Sequence, residues 1–261
     1  MELFFEKYHG TGNDFVMVDH RFNHSVNHND KTLIKHICDR RFGIGADGLI
    51  LLEKSEKYDF KMVYFNADGC QSTMCGNGGR CLVQFAKSLD IFDTETIFEA
   101  IDGEHYAKIN SDGTVSLQMI DVPHILQIDE RSFELNTGSP HFISFLDTLP
   151  ENIKEAGSKI RFSATYKMEG INVNFVKKFD DFIEVATYER GVEDETLSCG
   201  TGVTAAALSY AFKQNLMGKS IINIKTKGGN LTVSLVSNQN HFSDIWLNGP
   251  AVKVFKGSII L

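Results

Sequence analysis

Basic residues are in short supply. Lys and Arg number 26 against 34 Asp and Glu, a formal charge of −8. No stripe of Lys and Arg gathers what there is, which argues against a nucleic-acid surface, because phosphate binding needs clustered cations. Any anionic ligand has to be held locally. The start, MELFFEKYHGTGND, carries Glu2 and Glu6 and lacks a basic stretch leading into an apolar core, so it does not read as a secretory signal. No apolar run approaches the length of a membrane span. Cysteines are few, five in 261 residues, and without a secretory signal they fit reduced thiols in a cytoplasm better than a disulfide framework. Cys70, Cys75 and Cys81 lack the short spacing of common zinc ligands, and no Gly-Lys-Ser/Thr ending marks a phosphate loop. No lysine motif suggests bound pyridoxal phosphate. The expectation is a protein without metal or cofactor, contacting neither nucleic acid nor membrane.

What is present is ordinary in bulk, 42% hydrophobic and 23% charged, as in a compact globular protein. Short apolar or alternating runs dominate, among them DFVMVDH, DGLILLE, FKMVYFN, TVSLQMI, FIEVATY, IINIKT and LTVSLV, each bounded by Gly, Asn or Asp turn signals. These predict strands. Helical patterns are fewer and are expected over roughly Lys31 to Arg41, Gly78 to Leu89, Thr148 to Lys154 and Val203 to Phe212. With no regular strand–helix–strand beat and with tight turns at Asp112-Gly113 and Gly228-Gly229-Asn230, the fold class is α+β with antiparallel or mixed sheets.

The most informative feature is an internal echo. Residues 74 to 89 read MCGNGGRCLVQFAKSL and residues 198 to 213 read SCGTGVTAAALSYAFK, each a Cys-Gly-polar-Gly turn running into an apolar helix. Each copy follows a strand and a polar loop, so two similar domains are expected, 1–121 and 122–249, with the break near Pro123. A helix start presents N–H groups without intrahelical partners, together with the positive end of the helix dipole, and so holds a carboxylate. The same place lowers a thiol's pKa. Inverting a stereocentre requires a proton to leave one face and another to arrive at the opposite face. A thiolate and a thiol from the two copies, facing one ligand in a cleft between the domains, would suit that. Cys38 and Cys81, inside predicted helices, read as small core residues.

Beyond the echo, GTGNDF at 10–15, FGIGADGL at 42–49, FNADG at 65–69, MCGNGGR at 74–80, PHF at 140–142, GINVNF at 170–175 and YERGVEDETLSCGTG at 188–202 follow one another in the order seen in a known family. The chain resembles the diaminopimelate epimerases, pyridoxal-independent enzymes of the lysine and peptidoglycan pathway. The resemblance implies two similar domains, each a β-structure wrapped around a central helix, with the C-terminal strand, about 250–261, returning to the first domain. It implies that Cys75 and Cys199 are the acid/base thiols and that the N–H groups of Gly76, Asn77, Gly200 and Thr201 hold the reacting carboxylate. Glu189 and His141 would contact the reacting amino group. Asn13, Asn66, Asn172 and Arg190 would bind the substrate, with Arg190 on the distal carboxylate. Two positions depart from the family pattern: Cys70 stands where Ser is usual, and Ser139 where Asn usually precedes Pro-His.

Two other readings remain. One is a related two-cysteine racemase acting on proline, hydroxyproline or another amino acid, against which the set Asn66, Asn172 and Arg190 speaks, since proline needs no distal clamp. The other is a non-catalytic amino-acid-binding or redox-sensing module, disfavoured by the complete set of site residues. The expected partner is a small amino-acid substrate, a homodimer is a possible assembly, and the expected location is the cytoplasm.

Overall fold

The computed structural model describes residues 2–261. Two compact units emerge, one of Met1–Leu117 with Gly249–Leu261, the other of Gln118–Asn248. In the first, β1 (Glu2–Gly10) runs antiparallel to β2 (Asn13–Asp19), and β2 parallel to β3 (Gly48–Glu53) after helix α1 (Lys31–Cys38). Strand β3 is antiparallel to β4 (Phe60–Asn66), which carries the two-residue β5 (Gln71–Ser72). After helix α2 (Gly76–Ser88), β6 (Glu95–Ala100) returns parallel to β4, and β7 (Gly103–Ile109) and β8 (Val115–Gln118) follow antiparallel.

The second unit repeats this order. A short β9 (Leu126–Gln127) precedes β10 (Ser132–Asn136), which is antiparallel to β11 (Pro140–Phe145). After helix α3 (Ile153–Arg161), β11 is paralleled by β12 (Asn172–Lys178). Strand β13 (Ile183–Glu189) is antiparallel to β12 and carries the short β14 (Asp194–Thr196). Helix α4 (Gly200–Lys213) leads to β15 (Gly218–Thr226), parallel to β13, then to antiparallel β16 (Gly229–Asn238) and β17 (His241–Gly249). Both units therefore show the senses antiparallel, parallel, antiparallel, parallel, antiparallel, antiparallel. The class is α+β, two alike units built from mixed sheets. Strand β18 (Val252–Ile260) lies antiparallel along β1, from Glu2 opposite Ile260 to His9 opposite Val252.

Side-chain period explains why these segments form these elements. In β16, Leu231, Val233, Leu235 and Ser237 face inward while their neighbours stay more open, the period of two of a strand with one covered face. In β3, Gly48 to Leu52 are buried without alternation, as in a strand covered on both faces. Helix α2 packs on β1, β2, β3 and β7, and α4 on β10, β11, β12, β13, β15 and β16. Each is thus the core helix of its unit. Large side chains such as Phe15, Phe65 and Phe133 are buried completely or nearly so, each burial contributing about 1.5–3 kcal/mol.

Helix ends differ from the sequence expectation in ways with physical causes. Helices α2 and α4 begin at Gly76 and Gly200, earlier than 78 and 203, so the Cys-Gly turns are the first helical turns themselves. Glycine's low helix propensity hides this. Helix α1 stops at Cys38, short of Arg41. Helix α3 spans Ile153–Arg161 and not 148–154: Asn152 caps it by accepting from the Glu155 N–H at 3.0 Å, and Gly157 sits in its middle. A Cβ at Gly157 would come within 2.4 Å of the Tyr188 Cβ on β13, so a residue that reads as a helix breaker is required by packing.

Candidate active site

Cys75 and Cys199 occupy equivalent places, each the N-cap of its unit's core helix, in extended conformation with φ −94°, ψ 129° and φ −118°, ψ 114°. Their carbonyls accept the first helical bonds, from Gly79 N–H at 2.7 Å and Val203 N–H at 2.8 Å. Cys75 is half-buried and Cys199 is 9% exposed. The glycines behind them are closely packed, and Gly202 leaves no room for a side chain. A Cβ at Gly78 would meet Ile50 Cδ1 at 3.0 Å, one at Gly79 would meet Met74 Sδ at 3.0 Å, and one at Gly202 would lie 2.4 Å from Asn174 Oδ1.

In the first unit a polar chain backs the helix start. Arg80, fully buried, donates through Nη1 to Gly76 O at 3.3 Å and through Nη2 to Asn77 Oδ1 at 2.8 Å and Thr11 Oγ1 at 3.2 Å. Asn77, also buried, donates through Nδ2 to Asn13 Oδ1 at 2.6 Å, and Asn13 Nδ2 donates to Asp47 Oδ2 at 3.1 Å. Arg40 ties Asp47 and Asp14 together at 2.8 and 2.6 Å, and Lys7 meets Asp14 at 2.8 Å. Burial opposes ionisation of Asp14, but its bonds to Arg40 and Lys7 prevail and hold the carboxyl below its usual range. Asn66 ends β4 opposite Gly48 and opens the turn to Cys70, its N–H donating to Cys70 O at 3.0 Å. Gly69 closes that turn at φ 83°, the left-handed region open to glycine.

In the second unit the hub is His141, which lies opposite Asn172 in the β11–β12 register and is fully buried. Asn174 donates through Nδ2 to His141 Nδ1 at 3.0 Å and to Phe142 O at 3.3 Å, while its Oδ1 accepts from Thr187 Oγ1 at 2.9 Å. With Nδ1 an acceptor, the proton sits on Nε2, which lies 2.9 Å from both Thr201 Oγ1 and Ser139 Oγ. Burial, aided by the Arg190 charge, pulls the His141 pKa down to about 3, so the ring is neutral at working pH. Thr201 Oγ1 lies 3.5 Å from Cys199 Sγ. Asn172 donates to Ser139 Oγ at 3.2 Å and accepts from the Arg190 N–H at 2.9 Å. Ser139, the departure from the family pattern, is thus bonded to His141, Thr201 and Asn172 at once. Glu189 ends β13 half-buried, and Arg190 follows exposed, its Nη1 donating to Glu169 O at 3.1 Å.

Asn13, Gly76 and Asn77 are therefore joined in the first unit, with Asn66 at the end of β4. His141, Asn172, Arg190 and Thr201 are joined in the second, beside Cys199. Sequence reasoning passed over Arg80 and Asn174, although both stand inside quoted motifs. A charged residue on the apolar side of a core helix was the available signal for Arg80. Among the described residues, His20, His24 and Glu53 bring metal-type donor atoms within 4.8 Å of one another. His20, however, spends Nδ1 on Glu53 at 2.9 Å and Nε2 on the Val26 N–H at 3.2 Å, which leaves no lone pair for an ion without breaking one of these bonds. Cys38 and Cys81 are core residues, the Cys38 thiol pushed up to about 12 by burial.

Residues 5–125 and 133–254 match the family model described as diaminopimelate epimerase. A diaminopimelate epimerase of Flavobacterium psychrophilum is 51% identical over 97% of this chain and 98% of its own, and one of Chlorobaculum tepidum is 41% identical over 97% and 99%. Among solved structures, a PhzF-family phenazine biosynthesis protein of Bacillus anthracis superposes with a TM-score of 0.78 at 12% identity, covering 100% of both chains. A hydroxyproline epimerase of Agrobacterium vitis gives 0.70 at 13% identity, over 99% of this chain and 92% of that one. Those two share the fold. At the level of sequence and over nearly its whole length, the chain belongs to the diaminopimelate epimerase family.

Proposed function

We propose that this protein interconverts LL- and meso-2,6-diaminopimelate by proton transfer at the α-carbon, with Cys75 and Cys199 as the two acid/base thiols, in the supply of lysine and peptidoglycan precursors. The observation that carries the roles is the repeated helix start: in both units an extended cysteine caps a glycine-rich core helix. A thiolate removes the α-proton from one face and the opposing thiol delivers a proton to the other. Charge that develops on the carboxylate is met by the first-turn N–H groups of Gly76 and Asn77 and of Gly200 and Thr201, donors already aimed and needing no reorganisation.

Glu189 and His141, the latter held neutral and bonded to Thr201 beside Cys199, meet the reacting amino group. Asn13, Asn66 and Asn172 bind the remainder of the substrate, with Arg190 on the distal carboxylate, where a planar fork suits a planar anion. The cytoplasm, which keeps thiols reduced, is the setting that suits this chemistry. Among the described residues no helix is long and apolar enough to cross a membrane.

A substrate panel tests the reading. Reduced protein in D2O is given LL-diaminopimelate, proline, hydroxyproline or glutamate, and α-proton exchange is followed by NMR. Exchange confined to diaminopimelate is expected. Exchange only with proline or hydroxyproline would keep the two thiols and replace the substrate.

A further inference from the structure

The two core helices differ in one charge. Five positions after Cys75 stands Arg80, and five after Cys199 stands Thr204. Both donate to the carbonyl of the first helical residue, Arg80 to Gly76 O at 3.3 Å and Thr204 Oγ1 to Gly200 O at 2.9 Å. The equivalent bond is therefore made by a cation in one unit and by a neutral hydroxyl in the other.

Arg80 is fully buried, its acceptors are a carbonyl, an amide oxygen and a hydroxyl, and its Nε has no hydrogen-bond partner among the described residues. Among the described residues no carboxylate forms an ion pair with it. An arginine is almost never buried completely without an anion, because the lost hydration is not recovered from neutral acceptors. A guanidinium buried on neutral acceptors alone points to an anion arriving beside it.

The nearby groups narrow the choice. The titratable groups acting on the guanidinium are Cys81 and Cys75. Cys81 is fully buried and burial pushes its thiol far up, so it stays protonated. Tyr8, on β1 against the same helix, is pushed up to about 12 by burial and is neutral as well. Asp102 accepts from the Met74 N–H at 3.4 Å, next to Cys75, but is bound to His105 at 3.2 Å. Burial opposes its ionisation, and the His105 bond prevails and keeps its carboxyl low. Among the protein's own groups, Cys75 is the one left to answer the charge before substrate binds.

We propose that Arg80 is a positioning residue for the Cys75 half of the reaction: its guanidinium pins the first turn through Gly76 and Asn77 and is the buried counter-charge that makes Cys75, and not Cys199, the resting thiolate. This rests on the two-thiol reading above. The free protein then carries a base at Cys75 and an acid at Cys199, and its first proton removal is from the epimer that presents its α-hydrogen to Cys75.

The test is iodoacetamide alkylation as a function of pH, with the Cys75 and Cys199 peptides followed separately by mass spectrometry. In the natural protein Cys75 is expected to titrate about one unit or more below Cys199. Arg80→Gln is expected to slow alkylation of Cys75 roughly tenfold at neutral pH, leaving the Cys199 midpoint in place, and Arg80→Lys to restore most of it. A purely structural arginine would lower stability without separating the two midpoints. The proposal is overturned if Cys199 titrates at or below Cys75 in the natural protein, or if folded Arg80→Gln leaves the Cys75 profile unchanged. Should Arg80→Gln fail to fold, the order of midpoints in the natural protein decides. Turnover by Cys75→Ala would remove the two-thiol reading instead, whatever the alkylation profiles show.

Discussion

Arg80 Nη2 lies 2.8 Å from Oδ1 of Asn77, and that one bond orients two amides in series. With its oxygen held, Asn77 turns Nδ2 to Asn13 Oδ1, and Asn13 in turn offers Nδ2 to Asp47, which Arg40 anchors. A buried cation is thereby linked to an exposed one through the segments 10–15, 42–49 and 74–80.

Asn77→Ala removes the acceptor of Arg80 and Thr11 and the donor to Asn13 while keeping the backbone N–H at the helix start. A loss of about 1–3 kcal/mol in stability is expected, with a fall in kcat/KM. Thermal melts beside steady-state rates check it, and an unchanged melting temperature would mean the network contributes nothing.

His141 predicts a pH dependence with a definite sign. The ordinary histidine value is 6.5, and burial takes this one to about 3. Between these values the unfolded chain binds a proton that the folded one refuses. Stability therefore falls as pH drops through that window and is unaffected above it, by at most about 1.4 kcal/mol per pH unit from this group. Nitrogen NMR should find His141 in its Nε2–H form at neutral and mildly acidic pH alike. A His141 resonance titrating near its ordinary value would contradict the network drawn around Asn174 and Thr201.

Gly202→Ala would place a methyl group 2.4 Å from Asn174 Oδ1 and 3.3 Å from both Cys199 Cβ and His141 Cε1. Overpacking of this kind costs about 1–3 kcal/mol, and here it also displaces Asn174, so activity should fall further than stability alone explains. Gly157→Ala, equally crowded against Tyr188 on β13, is the control: it should lower the melting temperature with little effect on kcat/KM. Equal kinetic damage from both would dissociate Gly202 from the site.

Arg190→Lys exchanges a planar fork for a point charge at the proposed distal carboxylate. KM for diaminopimelate is expected to rise roughly 10- to 100-fold, the worth of a charge-assisted bidentate contact of about 1.5–3 kcal/mol, with kcat less affected. Unchanged KM would move the distal clamp elsewhere.

Much of this is legible in the amino-acid sequence alone. The echo of MCGNGG and SCGTGV is local, and local turns followed by apolar helices carry their own signal, so the duplication and its two thiols could be read directly. What could not be read depends on partners distant in sequence. Gly157 looks like a helix breaker until Tyr188, from another strand, is seen to fill the place of its side chain. Asn174 looks like one strand residue among several until His141 is found against it. Arg80 stood inside a quoted motif and was passed over, because burial and the lack of an anion are properties of packing and not of spacing. Ser139, which in sequence is only a departure from the family pattern, is bonded to His141, Thr201 and Asn172 at once.

The most direct test of the central claim is the isotope content of the first product. LL-diaminopimelate is mixed with the reduced protein in D2O, and the meso isomer is collected at low conversion. Thiols exchange with solvent, so proton removal by one and delivery by the other predicts deuterium at the inverted carbon of the product while the remaining LL pool stays protiated. Protium retained at the inverted carbon would mean that a single group carries the proton across, and the two-thiol account would fall.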